Sequence, residues 1–183
     1  MNRLQKDSVL LALNEQLRAD GSWAGETHMQ KATYFLQHLM DVPLAFDFVL
    51  YKHGPFSFDL RDELTAMRAQ GFLRLEPQYP YGPTLVPEEK SELLKNAYRK
   101  MIEGYMPKIR FVSGRLASKT VAGLERTATA LYVTLDGQTA STDRVRRLTQ
   151  LKPHIALEDA QAAVSEVDGI ILEADRDEHL KTA

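Results

Sequence analysis

The sequence predicts a mainly α fold with a small β wing: a modified winged helix over residues 1–87, an all-helical extension over 88–175 packed on it, and a polar tail over 176–183. Three observations support this. The first forty residues show helical apolar spacing, residues 44–86 switch to short β-like runs separated by Gly and Pro, and the remainder returns to helical patterning.

Each element has a local reason. Leu4, Leu10, Leu13 and Leu17 place a stripe on a helix from Arg3 to Asp20, with Gly21 as its stop. Thr27 is the expected N-cap of a second helix through Met40, in which Ala32, Phe35, Leu36 and Leu39 form the apolar face; Pro43 bars its continuation. Trp23 is expected to pack in the connection. From Leu44 to Tyr51, Phe46, Phe48 and Leu50 (or Val49) are aromatic or aliphatic and Asp47 interrupts them, which predicts a short strand closed by Gly54-Pro55. Ser57 caps a third helix through Gln70, with Leu60, Leu64 and Met67 inward and Gly71 at its end. Residues 72–75 and 84–86 flank a Pro/Tyr/Gly loop at 77–83 as a hairpin wing. In a DNA-reading helix-turn-helix a turn of about 3–4 residues joins the two helices; here Asp41 to Phe56 intervene.

Pro87 suits a helix N1 position, and five helices are expected over 88–104, 106–118, 120–136, 142–152 and 157–175. Gly104/Pro107, Gly137 and Pro153 separate them, Ser141 or Thr142 caps the fourth, and Ala160, Ala163, Val164 and Val167 give the fifth a small-residue packing face.

Composition narrows the function. The chain has 183 residues, 44% hydrophobic, and no cysteine, which removes disulfides, thiolate zinc sites and cysteine nucleophiles and fits a reducing, cytoplasmic setting. The apolar run Val9–Leu13 is too short for a secretory signal, and no membrane span is expected. The net charge of −2 hides a sign pattern: residues 1–89 carry 8 Lys/Arg and 12 Asp/Glu, 90–152 carry 13 and 5, and 153–183 carry 2 and 8. A basic middle and an acidic end permit intramolecular docking or self-association.

No catalytic pattern emerges. There is no GxSxG, GxGxxG or phosphate-loop sequence, and no HExxH. His28 and His38 are ten apart, and His53, His154 and His179 are isolated, so no metal or other cofactor is expected. Asp62-Glu63 and Glu88-Glu89 read as solvated helix surface or helix starts.

One motif stands out. Gln30-Lys31-Ala32-Thr33-Tyr34-Phe35-Leu36 is followed by Tyr51-Lys52-His53-Gly54-Pro55-Phe56-Ser57, then by Leu60, Leu64 and Gly71-Phe72-Leu73. This arrangement resembles the YwgA-like group and the broader SocA-like (Panacea) antitoxin superfamily, and is similar to the C-terminal domain of DarG-type antitoxins. The match covers residues 27–75, with a weaker echo at Leu151-Lys152-Pro153-His154-Ile155 and Asp159-Ala160. The resemblance implies a bacterial antitoxin-like or adaptor protein that holds a protein partner by direct contact; it carries over no catalytic residue. The chain contains no macrodomain, so glycohydrolase activity is not implied.

The expected partner-binding residues are Lys31, Tyr34, Tyr51, Lys52, His53, Gly54 and Pro55 from the motif, with Lys95, Arg99 and Arg110 from the basic middle. The 51–55 turn has two readings, a strand-to-helix corner shaped by Gly and Pro, or a recognition loop presenting an aromatic and two cations. The alternative function is a nucleic-acid-binding regulator using the wing and helices 90–152. Against recognition by the third helix stand Asp59, Asp62 and Glu63, which outnumber Arg61 and Arg68.

Overall fold

A computed structural model describes residues 1–183 except 78, 80, 81, 138, 139, 178, 179 and 181–183. His179 and parts of the 77–83 loop and the terminal tail therefore lie outside the described residues. Among those described, the fold is mainly helical, with two small two-stranded antiparallel sheets. The order is α1 (Arg3–Ala19), α2 (Glu26–His38), β1 (Val49–Tyr51), β2 (Gly54–Phe56), α3 (Phe58–Ala69), β3 (Leu73–Glu76) and β4 (Thr84–Pro87). Then follow α4 (Lys90–Ala97), α5 (Arg99–Leu116), α6 (Val121–Leu135), α7 (Ser141–Leu151) and α8 (Leu157–Arg176).

Asn2 opens α1 through a capping box with Gln5, and the helix buries Val9, Leu10, Leu11, Leu13 and Leu17. The central element is α2. Every residue from His28 to Leu36 is buried, because α1, α3, α5, α6 and β2 all pack on it. The expected single stripe is therefore too narrow. Polar residues on the remaining faces find fixed partners: the Gln30 carboxamide exchanges two 2.9 Å hydrogen bonds with the Ser57 backbone, and Lys31 Nζ donates to the Pro55 carbonyl at 2.9 Å. The N-cap is Gly25 rather than Thr27, and no side chain caps the helix.

The expected strand from Leu44 to Tyr51 shrinks to three residues. Val42, Leu44 and Phe46 do alternate inward, but Asp41 and Ala45 adopt φ of +53°, which breaks the pleat, and the Gln37 side chain binds both the N–H and the carbonyl of Phe46 at 2.8 Å. Beyond it, the 51–55 turn is a β-hairpin and not a strand-to-helix corner: Val49 faces Phe56, Leu50 faces Pro55 and Tyr51 faces Gly54. Ser57 caps α3 as expected, its hydroxyl accepting from the Leu60 N–H at 3.2 Å. The second hairpin pairs Leu73 with Pro87 and Glu76 with Thr84. Pro87 thus ends β4 instead of starting a helix.

In the helical half the break expected at Gly104/Pro107 falls at Tyr98, and Pro107 lies inside α5. Tolerance of an internal proline follows from tertiary packing: α5 buries Ile102, Ile109, Val112 and Leu116 against α1 and α2, which outweighs one lost backbone bond. Ala140 is the N-cap of α7, so neither Ser141 nor Thr142 caps it. The α8 face expected from Ala160, Ala163, Val164 and Val167 is buried. Within the segment expected as a polar tail, Leu180 is buried. One apolar cluster runs through both halves, from Leu10 and Leu36 to Ile109, Leu131 and Val164.

The opposite charges of the middle and the end meet within the chain. Arg115 pairs with Glu173, Lys119 with Glu166 at 2.5 Å, Arg126 with Asp159 at 2.6 Å, and Arg144 with Asp168 at 2.5 Å. Much of the basic character of residues 90–152 is neutralised by α8. No helix among the described residues is long and apolar enough to cross a membrane.

Candidate partner-binding site

The motif residues converge on the β1–β2 hairpin. From below, three helices reach its backbone. Lys31 of α2 binds the Pro55 carbonyl, and Lys152, just past α7, donates to the carbonyls of Tyr51 and Lys52, each at 2.6 Å. Glu125 of α6 supplies the countercharge: its Oε1 lies 3.2 Å from both Lys152 Nζ and His154 Nε2, at ion-pair distance without hydrogen-bond alignment, and its Oε2 is 3.4 Å from His53 Nδ1.

Gly54 makes this approach possible. Its φ of +85° belongs to the left-handed region, and a Cβ there would sit 3.0 Å from Thr129 Oγ1 and 3.4 Å from the Glu125 carbonyl. Backbone and α6 are in contact only because no side chain intervenes.

The electrostatics follow from burial. Desolvation pushes the Lys31 ammonium down to about 8, with Lys152 adding repulsion and Glu125 opposing both. Burial pushes the Glu125 carboxyl up, but Lys152, His53 and His154 outweigh it and hold the group below the usual carboxylate range. Tyr34 is pushed up by burial. Glu125 with His53 and His154 has the composition of a metal-binding set, yet the Lys152 ammonium stands at ion-pair distance from the same carboxylate oxygen as His154. Among the described residues no group of three or more His, Cys, Asp or Glu side chains is placed to hold a metal.

Above this support the hairpin presents an apolar face. Val49 and Tyr51 alternate to one side of β1, and Phe56 lies opposite Val49 on the same side. Tyr51, Phe56 and Phe58 form a closed aromatic triangle, with ring centroids 5.7, 5.5 and 5.1 Å apart. Val49 is 47% exposed, Tyr51 55% and Phe58 42%, so the face is open to solvent, and the Arg61 guanidinium lies 5.1 Å from the Phe58 ring centroid.

The ten expected binding residues therefore divide. Tyr51, Lys52 and His53 are exposed on the hairpin, whereas Lys31, Tyr34, Gly54 and Pro55 are buried. These four are corrected from contacts to supports: the Lys31 ammonium is spent on Pro55, and the Tyr34 ring packs on His38 and Phe48. Lys95 is partly buried and held by Glu15 and Glu92 at 2.5 and 2.7 Å, away from the hairpin cluster. Arg99 and Arg110 are exposed, but α5, which carries both, packs on α1 and α2 rather than joining the hairpin cluster. Sequence reasoning missed Val49, Phe58 and Glu125. The signal for Phe56 and Phe58 was present as aromatics flanking the Ser57 cap; Glu125 had none, being one acid in a helix distant in sequence.

The chain matches no protein-family model and no curated protein.

Proposed function

We propose that the chain is a non-enzymatic protein-binding module of the SocA-like antitoxin kind, an antitoxin or adaptor that grips a protein partner with the β1–β2 hairpin. The reading treats α1–α3 with the β3–β4 wing as a winged-helix-derived scaffold whose inserted segment, between α2 and α3, has become the contact surface. The observation that carries it is the exposed Val49/Tyr51/Phe58 face on a hairpin backbone fixed by Lys31 and Lys152. Exposed aromatics on a preorganised backbone are what a binding hot spot requires, because little conformational freedom is lost on association.

The test is co-purification with the product of a neighbouring gene, together with rescue of growth where that product is toxic. A double Tyr51→Ala/Phe58→Ala variant is expected to fold and to lose both. Rescue undiminished by that variant would remove the hairpin from the interface, and a partnerless, non-rescuing wild type would remove the function.

Nucleic-acid binding is the second reading, resting on the exposed Lys100, Arg110 and Arg147, which have no acidic partner among the described residues. The acids of α8 occupy four other cations of the same region, and Asp59 and Asp62 are exposed on α3. A gel-shift titration at two salt concentrations separates the readings, since phosphate contacts must weaken steeply with salt.

A further inference from the structure

A cleft of about 620 Å³, with no β1 or β2 residue among its described lining, lies between α3, the β3–β4 hairpin, the start of α2 and the α5–α6 connection. Its volume is in the range of small-molecule sites, roughly 300–1,000 Å³. Leu64, Leu75, Leu85, Ala117 and Val121 form apolar walls, and of these Leu75 is 37% and Val121 50% exposed.

The charged groups among the described lining residues are mostly of one sign, Arg61, Arg68 and Lys119 against Glu26. The first turn of α2, Glu26 to His28, is part of the wall, and no side chain caps it. Gly25 is the reason: a Cβ there would lie 2.9 Å from Trp23 Cδ1 and 3.2 Å from the Pro83 carbonyl, so a capping side chain has no room. His28 follows in the same wall, 6% exposed, with the Ala117 and Lys119 backbone beside its ring and an Nε2 that makes no hydrogen bond among the described residues. Among the described residues Arg68 reaches the cleft from α3 without a hydrogen-bond or ion-pair partner, while Arg61 is bound to Asp62 and Lys119 to Glu166. Glu26 is the one acid among the described lining residues.

We infer that this cleft binds a small amphipathic carboxylate, its apolar body against Leu75 and Val121 and its acid group at the uncapped start of α2 beside His28 and Arg68. A helix N-terminus and a guanidinium with no acidic partner among the described residues both favour an anion, and the apolar walls beside them suit a hydrocarbon body. A neutral or cationic ligand of the same shape would leave these donors unmatched.

The chain's one tryptophan, Trp23, lines the cleft and serves as the reporter. The experiment titrates the full chain with decanoate while following Trp23 fluorescence and, in parallel, heat by calorimetry. A saturable change is expected, with 1-decanol and decyltrimethylammonium at least about tenfold weaker. Arg68→Gln is expected to weaken decanoate by about fivefold or more, and Val121→Tyr, a change at an exposed position that fills the cleft, to abolish it. Four results would each overturn the inference: no saturation below about 5 mM, equal binding of 1-decanol, wild-type affinity in Arg68→Gln, or calorimetric binding that leaves Trp23 unchanged.

Discussion

Lys152 Nζ donates to the Tyr51 carbonyl across 101 residues of sequence, at 2.6 Å, from a side chain that is almost wholly buried. The bond ties the segment just past α7 to the tip of the β1–β2 hairpin. It makes the presentation of the aromatic face depend on the helical half of the chain.

Lys152→Met leaves two hairpin carbonyls without their donor and Glu125 with a reduced countercharge. A loss of about 3–5 kcal/mol is expected in urea unfolding, as for one partner removed from a buried pair. Combining it with Glu125→Gln restores part of that loss, giving a coupling of about 1 kcal/mol or more in a double-mutant cycle. Simple additivity would show that the two charges do not act together.

Gly54→Ala forces a side chain into φ of +85° and against Thr129 Oγ1. Roughly 2–4 kcal/mol of stability is expected to disappear, read as a lowered denaturation midpoint. A near-neutral result would mean that the hairpin does not rest on α6.

Tyr51→Ala and Phe58→Ala remove exposed rings, so each is expected to change stability by less than about 1 kcal/mol. Their effect belongs in partner affinity, where a loss of about tenfold or more is expected. Thermal melts and pulldown titrations on the same samples separate the two effects.

Asp7 in α1 is fully buried, and neither carboxyl oxygen makes a hydrogen bond among the described residues. Burial, followed by the Glu63 charge, pushes its carboxyl up from 3.8 to about 7, with Arg3 opposing. A raised carboxyl favours folding while protonated, so its contribution falls as pH rises from about 4 to 7 and is lowest above 7. Asp7→Asn is therefore expected to stabilise by roughly 1–3 kcal/mol at pH 8 and by almost nothing near pH 4. Glu125 carries the opposite sign: its lowered value gives stability above the ordinary carboxylate range that is lost as pH falls through the folded value. Urea melts of wild type and Asp7→Asn across this range check the assignment.

Asp168→Ala leaves the buried Arg144 guanidinium with Thr134 as its remaining partner. About 1–3 kcal/mol is expected to be lost, and 1 M salt reduces that loss only partly because Arg144 is shielded from solvent. Glu166→Gln, at a more exposed pair, is expected to cost under about 1 kcal/mol.

Sequence by itself determined what is local. The spacing of Leu10, Leu13 and Leu17, the Ser57 cap and the Gly71 stop are each decided within a few residues, and those elements are where the pattern places them. The motif from Lys31 to Pro55 was legible as well, but nothing local marked Lys31 as turned inward, since charged side chains in a helix ordinarily face solvent.

Only the tertiary structure decided that Lys31 and Lys152 turn inward beneath the hairpin and that Glu125 joins them. Five elements surround α2, so its polar faces had to find partners in the interior, and an unpaired charge there would have been prohibitive. The same packing put Pro107 inside a helix, drew the acids of α8 onto the basic middle, and left Val49, Tyr51 and Phe58 as the uncovered face. Those outcomes depend on which surfaces meet, and that is a property of contacts between residues up to a hundred positions apart.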